Sequence, residues 1–183
     1  MYFGNDPVMR RGSIKYLFLL ALAAGFLWSC RKVEHYPPEP QISFTDFILR
    51  DSVDYLGNRI LTGILSFHFI DGDGDLGMPE LDSLLPGTPS SSNLFFTLYY
   101  LDNNVLLPAD EDDVKTPLTY RIPYIKMTGR DKTMKGEIKV IFFYINFPYD
   151  TIKYSFYVVD RAGHESNTAE TPLLLLPADE DLQ

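Results

Sequence analysis

Three aspartates alternate with glycines in Ile70-Asp71-Gly72-Asp73-Gly74-Asp75-Leu76-Gly77. Carboxylates two residues apart can curl round one hard cation, and glycines allow the tight backbone that this needs. Without a cation the three negative charges repel one another. The run follows an apolar alternating segment, so it sits at the end of a strand. Two outcomes stay open: a loop organised by a cation, Ca²⁺ above all, or a solvated acidic turn that holds no ion.

Other chemistry is thinly represented. His35, His68 and His164 are dispersed, and His164-Glu165 lacks the second histidine of a zinc-protease helix. Asp160, His164 and Ser166 have the types of a hydrolytic triad, but all three fall within one turn. No G-x-S-x-G elbow, P-loop or dinucleotide fingerprint is present. Phe95, Tyr99 and Tyr157 lie on the opposite parity to the better core faces. They could form a sugar- or protein-binding face, although burial on both sides of a central strand is the more ordinary use. Lys126, Arg130, Lys132 and Lys135 make a basic loop on an otherwise acidic chain.

The elements that must position these groups read as strands. Ile42-Ser43-Phe44 opens the first. Arg59 to Ile70 places Leu65, Phe67 and Phe69 on one face and Ser66 and His68 on the other. Leu94 to Leu101 alternates, and Asp102-Asn103-Asn104 is a hairpin turn into Val105-Leu106-Leu107. Thr119 to Ile125, carrying Pro123, suits an edge. Glu137 to Phe147, apolar on both faces, suits a central strand. Ile152 to Asp160 alternates again, and Thr171 to Leu176 closes the chain. About seven strands with no competing amphipathic helix predict an all-β fold, an antiparallel β-sandwich over residues 41–183.

The run KYSFYVVDRAGHESNT resembles the F strand, FG turn and G strand of bacterial Ig-like and fibronectin-III-like domains, with Tyr154 at the spacing of a tyrosine corner. That resemblance implies that the B–C and F–G loops share one end of the sandwich, which brings Asp160 toward Asp71, Asp73 and Asp75. The acidic run itself resembles the start of EF-hand-type calcium loops. It departs at Leu76, where a glycine is usual, and places Asp82 where the closing glutamate falls. The expected ligand set is therefore Asp71, Asp73, Asp75, Asp82 and Asp160 around a structural Ca²⁺.

The amino-terminal region carries an address. Arg10, Arg11 and Lys15 precede an apolar stretch from Tyr16 to Trp28, too short to cross a bilayer comfortably, and then Leu27-Trp28-Ser29-Cys30. This resembles the signal peptide and lipobox of bacterial lipoproteins. In that family the cysteine is acylated and becomes the mature amino terminus. The resemblance implies a signal peptide over residues 1–29, starting at Met1 or Met9. It also implies a lipidated Cys30 with a Pro-rich tether to residue 40, and anchorage in the cell envelope. Arg31 in place of an inner-membrane retention aspartate points to the outer membrane. Cys30 is the only cysteine, so no internal disulfide is available.

The formal charge is −9. The leader contributes three basic residues and only Asp6 as an acid, so the body is more acidic still. Such a surface repels phosphate backbones and disfavours nucleic acid. The expected function is a non-catalytic, membrane-anchored module that binds a protein or glycan. The alternatives are a structural subunit of an outer-membrane protein complex and a hydrolase whose site is not recognisable.

Overall fold

The computed structural model describes residues 34–79, 92–110, 114, 116–128, 132–145 and 147–177. The leader, Cys30, Asp82 and Arg130 lie outside them. Among the described residues there is no helix. In chain order the strands are β1 (Gln41–Val53), β2 (Arg59–Asp71), β3 (Leu94–Asp102), β4 (Val105–Pro108), β5 (Thr119–Tyr120), β6 (Met134–Tyr144), β7 (Thr151–Val158), β8 (Ala169–Glu170) and β9 (Leu174–Leu175).

They form two antiparallel sheets. One is ordered β1-β2-β6; the other is ordered β4-β3-β7-β8, with β5 also on β3 and β9 also on β7. Two antiparallel sheets facing one another make an all-β sandwich. The β2 residues Leu65 and Phe67, the β6 residue Phe142 and the β7 residues Tyr154, Phe156 and Val158 are at most 1% exposed. Alternation explains this, because every second residue of each strand faces the other sheet.

Aromatic rings fill the space between the sheets. Phe142 stacks on Tyr154 at 4.6 Å, Phe96 meets Phe142 edge-on at 5.1 Å, and Phe67 lies 5.1 Å from Phe156. Each such pair contributes about 0.5–1.5 kcal/mol beyond simple burial. Tyr154 has the spacing of a tyrosine corner, but its hydroxyl meets the Tyr144 hydroxyl at 3.0 Å rather than an upstream backbone group.

Turn chemistry matches the sequence at β3–β4. Asn103 and Asn104 have φ of 49° and 62°, the type I′ pattern of a two-residue hairpin. The β1–β2 turn is closed by Asp54. One of its carboxylate oxygens accepts the Leu56 and Asn58 N–H groups, each at 2.8 Å, and the other accepts the Asn58 side-chain amide. The turn holds Tyr55 and Leu56 out in solvent.

Four strand assignments differ from expectation, one of them at the end of the chain, where Thr171 to Leu176 holds only the two-residue β9 and β8 lies before it. β1 continues to Val53, through a bulge between Phe44 and Asp46. β5 is only two residues long, and Pro123 instead makes an isolated bridge with Met78. β6 is an edge strand, paired with β2 alone within its sheet, and not a central one. Its outward Ile141 and Phe143, with Ile145 just beyond its end, are 48–51% exposed, so two apolar faces here do not mean two buried ones.

Candidate metal centre

Asp71 is the last residue of β2 and keeps the inward parity of Leu65, Phe67 and Phe69. Its carboxylate is therefore carried into the top of the core, where it is 0% exposed. The chain then turns sharply. Gly74 has φ +71°, and a side chain there would run into the Lys132 carbonyl. Gly72 donates its N–H to the Pro37 carbonyl at 3.1 Å, and its own carbonyl accepts the Thr133 hydroxyl at 3.3 Å. The acidic loop is thus held between the segment entering β1 and the segment entering β6.

The loop closes through Asp71. One of its oxygens, Oδ2, accepts the Leu76 N–H at 2.6 Å, and Leu76 is buried as a plug beneath the turn. The other oxygen, Oδ1, is buried and has no hydrogen-bond partner, and the same is true of Asp75 Oδ1. One oxygen each from Asp71, Asp73 and Asp75 lie within 4.8 Å of one another. Oxygens on opposite sides of a Ca²⁺ ion are about 4.6–5.2 Å apart, given bonds of 2.3–2.6 Å. The three carboxylates can therefore share one cation.

Electrostatics agree with the geometry. Burial pushes the Asp71 carboxyl above the ordinary range; the Leu76 N–H opposes this and Asp73 adds to it. Asp75 is also raised, by burial first and then by the charges of Asp160, Asp73 and Asp71. Arg161 acts the other way on Asp75. Its guanidinium, however, donates to the Gly77 carbonyl at 2.7 Å and lies over the Tyr124 ring, 4.9 Å from its centre. It braces the loop from outside. Buried carboxylates that are both desolvated and mutually repelled favour a proton or a metal ion.

Asp160 arrives at the same end, close enough for its charge to act on Asp75. Its own carboxylate is engaged locally. Oδ1 accepts the His164 N–H at 2.8 Å, and Oδ2 meets His164 Nδ1 at 2.9 Å. That pairing raises the His164 pKa. Asp82 lies outside the described residues. The Ser166 hydroxyl donates to the Asn167 carbonyl at 2.7 Å and accepts the Val158 N–H at 3.0 Å, so it is not aligned with the imidazole. Asp160, His164 and Ser166 share a turn without forming a relay.

Phe95 and Tyr157 stack at 5.2 Å on the outer face of the larger sheet, and with Tyr99 they are half-buried. His68 is exposed, as its strand parity predicts. Of the basic residues expected in one loop, Lys135 lies in β6, 3.7 Å over the Tyr36 ring, and Lys132 contributes its carbonyl to the packing of Gly74.

Several supporting residues carry no local sequence signal. Arg161 braces the loop from another turn. Buried Asn93 accepts the Ile122 N–H at 2.7 Å and donates to the Val159 carbonyl at 3.3 Å, tying three segments together beneath the acidic end. Comparison with known proteins finds no matching family model, no similar curated protein and no similar solved structure.

Proposed function

We propose that this chain is a lipid-anchored, non-catalytic module of the bacterial outer membrane whose Asp71–Gly77 loop holds a structural Ca²⁺. Its work in this reading is to bind a protein or glycan. The observation that carries the metal assignment is the pair of buried carboxylate oxygens, Asp71 Oδ1 and Asp75 Oδ1, neither of which meets a donor in hydrogen-bonding geometry, the nearby Gly74 N–H acting on Asp71 only as a partial charge. An oxygen in that state costs free energy unless a cation or proton meets it. Oxygen-only ligands of this kind suit a hard cation such as Ca²⁺ rather than zinc or copper. The anchoring half of the proposal rests on the lipobox-like Leu27-Trp28-Ser29-Cys30.

Calorimetric titration of the whole chain, purified in detergent, tests the metal assignment. Saturable heat with Ca²⁺ that disappears in Asp73→Ala supports it. A flat titration at millimolar Ca²⁺ ends it.

A second reading, a structural subunit of an envelope complex, is favoured by a different observation. A cleft of about 600 Å³, lined by Val53, Tyr55, Ile60, Pro117, Phe143 and Ile145, opens beside the exposed β1–β2 turn. Apolar surface of this kind marks contact with another macromolecule. Co-purification with one integral outer-membrane protein at fixed stoichiometry distinguishes this reading from a free binding module.

A further inference from the structure

Sheet edges offer backbone groups to other chains, and folded proteins usually block them. Here most edges are blocked by identifiable atoms. On β6 the outward carbonyls of Phe143 and Ile141 accept the hydroxyls of Thr116 and Tyr120, at 2.6 and 3.4 Å. The far edge of β7 is covered by β8 and β9, and the Ser166 hydroxyl accepts the Val158 N–H there. β4 is four residues long and ends on Pro108. The first half of β1 is sealed by Asn167, which accepts the Ile42 N–H at 2.8 Å and donates to the Ile42 carbonyl at 2.9 Å.

The second half of β1 is different. Its ladder to β2 pairs Ile48 with Ile64, Arg50 with Thr62 and Ser52 with Ile60. Phe47 bonds its N–H to its neighbour Asp46 at 2.8 Å instead of to β2. Backbone groups alternate in direction along a strand. Phe47, Leu49 and Asp51 therefore point their N–H and C=O groups away from the sheet. Among the described residues the Phe47 N–H is held by the Asp46 carboxylate, and no other segment takes the remaining groups.

The geometry points to a second copy of this chain as the occupant, added antiparallel along β1 with its twofold axis at Ile48. In that register Phe47 faces Leu49 of the other copy as a hydrogen-bonded pair, with the Phe47 N–H passing from the Asp46 carboxylate to the Leu49 carbonyl of the other copy. Ile48 faces its own counterpart in a non-hydrogen-bonded pair. Asp46 faces Arg50 of the other copy, and Arg50 faces Asp46, so opposite charges meet on both sides of the axis. Shifting the axis to Arg50 or to Asp51 sets like charges against each other. The two sheets become one of six strands. The outward row Ile48, Ile64 and Ile141, in which Ile48 is 38% and Ile141 48% exposed, doubles into a continuous apolar band.

The test uses the whole chain in detergent, with single cysteines introduced on β1 and mild oxidation. Non-hydrogen-bonded cross-strand neighbours are close enough for a disulfide. Ile48→Cys is expected to cross-link to itself far above the parent chain, while Ser52→Cys stays at the parent level. In sedimentation, Arg50→Asp is expected to weaken the dimer about tenfold, and Asp46→Lys with Arg50→Asp to restore it. The proposal is overturned by equal cross-linking at positions 48 and 52, by a monomeric parent at high micromolar concentration, or by cross-links from position 48 to a different protein. Failure of calcium binding leaves this test unaffected, because the acidic loop lies at the other end of β1.

Discussion

Asp71 Oδ2 accepts the Leu76 N–H at 2.6 Å, which closes the acidic loop and strands the other oxygen of the same carboxylate in the core. One side chain thus both shapes the loop and destabilises it. Asp71→Asn keeps an acceptor for Leu76 while removing the buried charge. It is expected to stabilise the metal-free protein by about 1 kcal/mol and to abolish stabilisation by Ca²⁺. Thermal melts in chelator and in millimolar Ca²⁺ check both halves. A variant that still gains stability with Ca²⁺ contradicts the metal assignment.

The pH dependence of the metal-free protein follows from the same residues. Asp71 and Asp75 have folded pKa values raised above the unfolded value of about 3.9, so the folded state holds more protons than the unfolded state between the two. Stability therefore rises as pH falls through their folded pKa values. His164 acts in the same direction, because its raised pKa gives a contribution that is complete below about 6.5 and lost as pH climbs through the folded value. Denaturation curves in chelator should show stability increasing from pH 8 toward pH 5. In saturating Ca²⁺ the trend reverses, because protons then compete with the ion.

Tyr144 and Tyr154 share one buried hydrogen bond between their hydroxyls. Burial is the first cause that raises both pKa values, so both hydroxyls stay protonated at neutral pH. Either single change to Phe leaves the other hydroxyl without a partner and is expected to cost about 1–3 kcal/mol. The double change should cost less than the sum, with a coupling of about 1 kcal/mol or more. Urea unfolding of the four proteins in the cycle measures it.

Anchorage is tested at Cys30. The parent chain, expressed in a lipoprotein-processing bacterium, should partition into membranes and begin at an acylated Cys30 by mass spectrometry. Cys30→Ser should leave the membrane fraction or retain its leader. A parent protein with an unmodified cysteine contradicts the anchor.

The parts of the fold that can be read locally are those where periodicity is unbroken. Leu65-Phe67-Phe69 and Ile152-Tyr154-Phe156-Val158 declare both their strands and their inward faces, and Asn103-Asn104 declares its turn. β1 is legible only at its start. The bulge beside Thr45 makes the inward residues Phe44, Phe47 and Leu49 fall three and then two apart, so the alternation is interrupted in mid-strand. β6 reads as central because Ile141, Phe143 and Ile145 are apolar. Whether another strand lies beyond them depends on chain topology, which no local pattern records.

The candidate site divides in the same way. The spacing of Asp71, Asp73 and Asp75 is visible in the sequence, and the burial of Asp71 follows from strand parity. The carbonyl of Lys132 against Gly74 and the brace from Arg161 come from residues more than fifty positions away. Asp160 is delivered to the same end by β7, where His164 takes its oxygens.

The hydrogen bond from Gly72 to Pro37 puts the entry of β1 beside the acidic loop, while the turn carrying Tyr55 lies at the opposite end of the same thirteen-residue strand. A pull applied at Tyr36 and resisted at Tyr55 runs lengthwise along β1. That tension is carried by a backbone that is already extended, so the rungs to β2 bear it only once the strand is stretched further. Load along that line finds almost no slack to take up before the sheet itself must give.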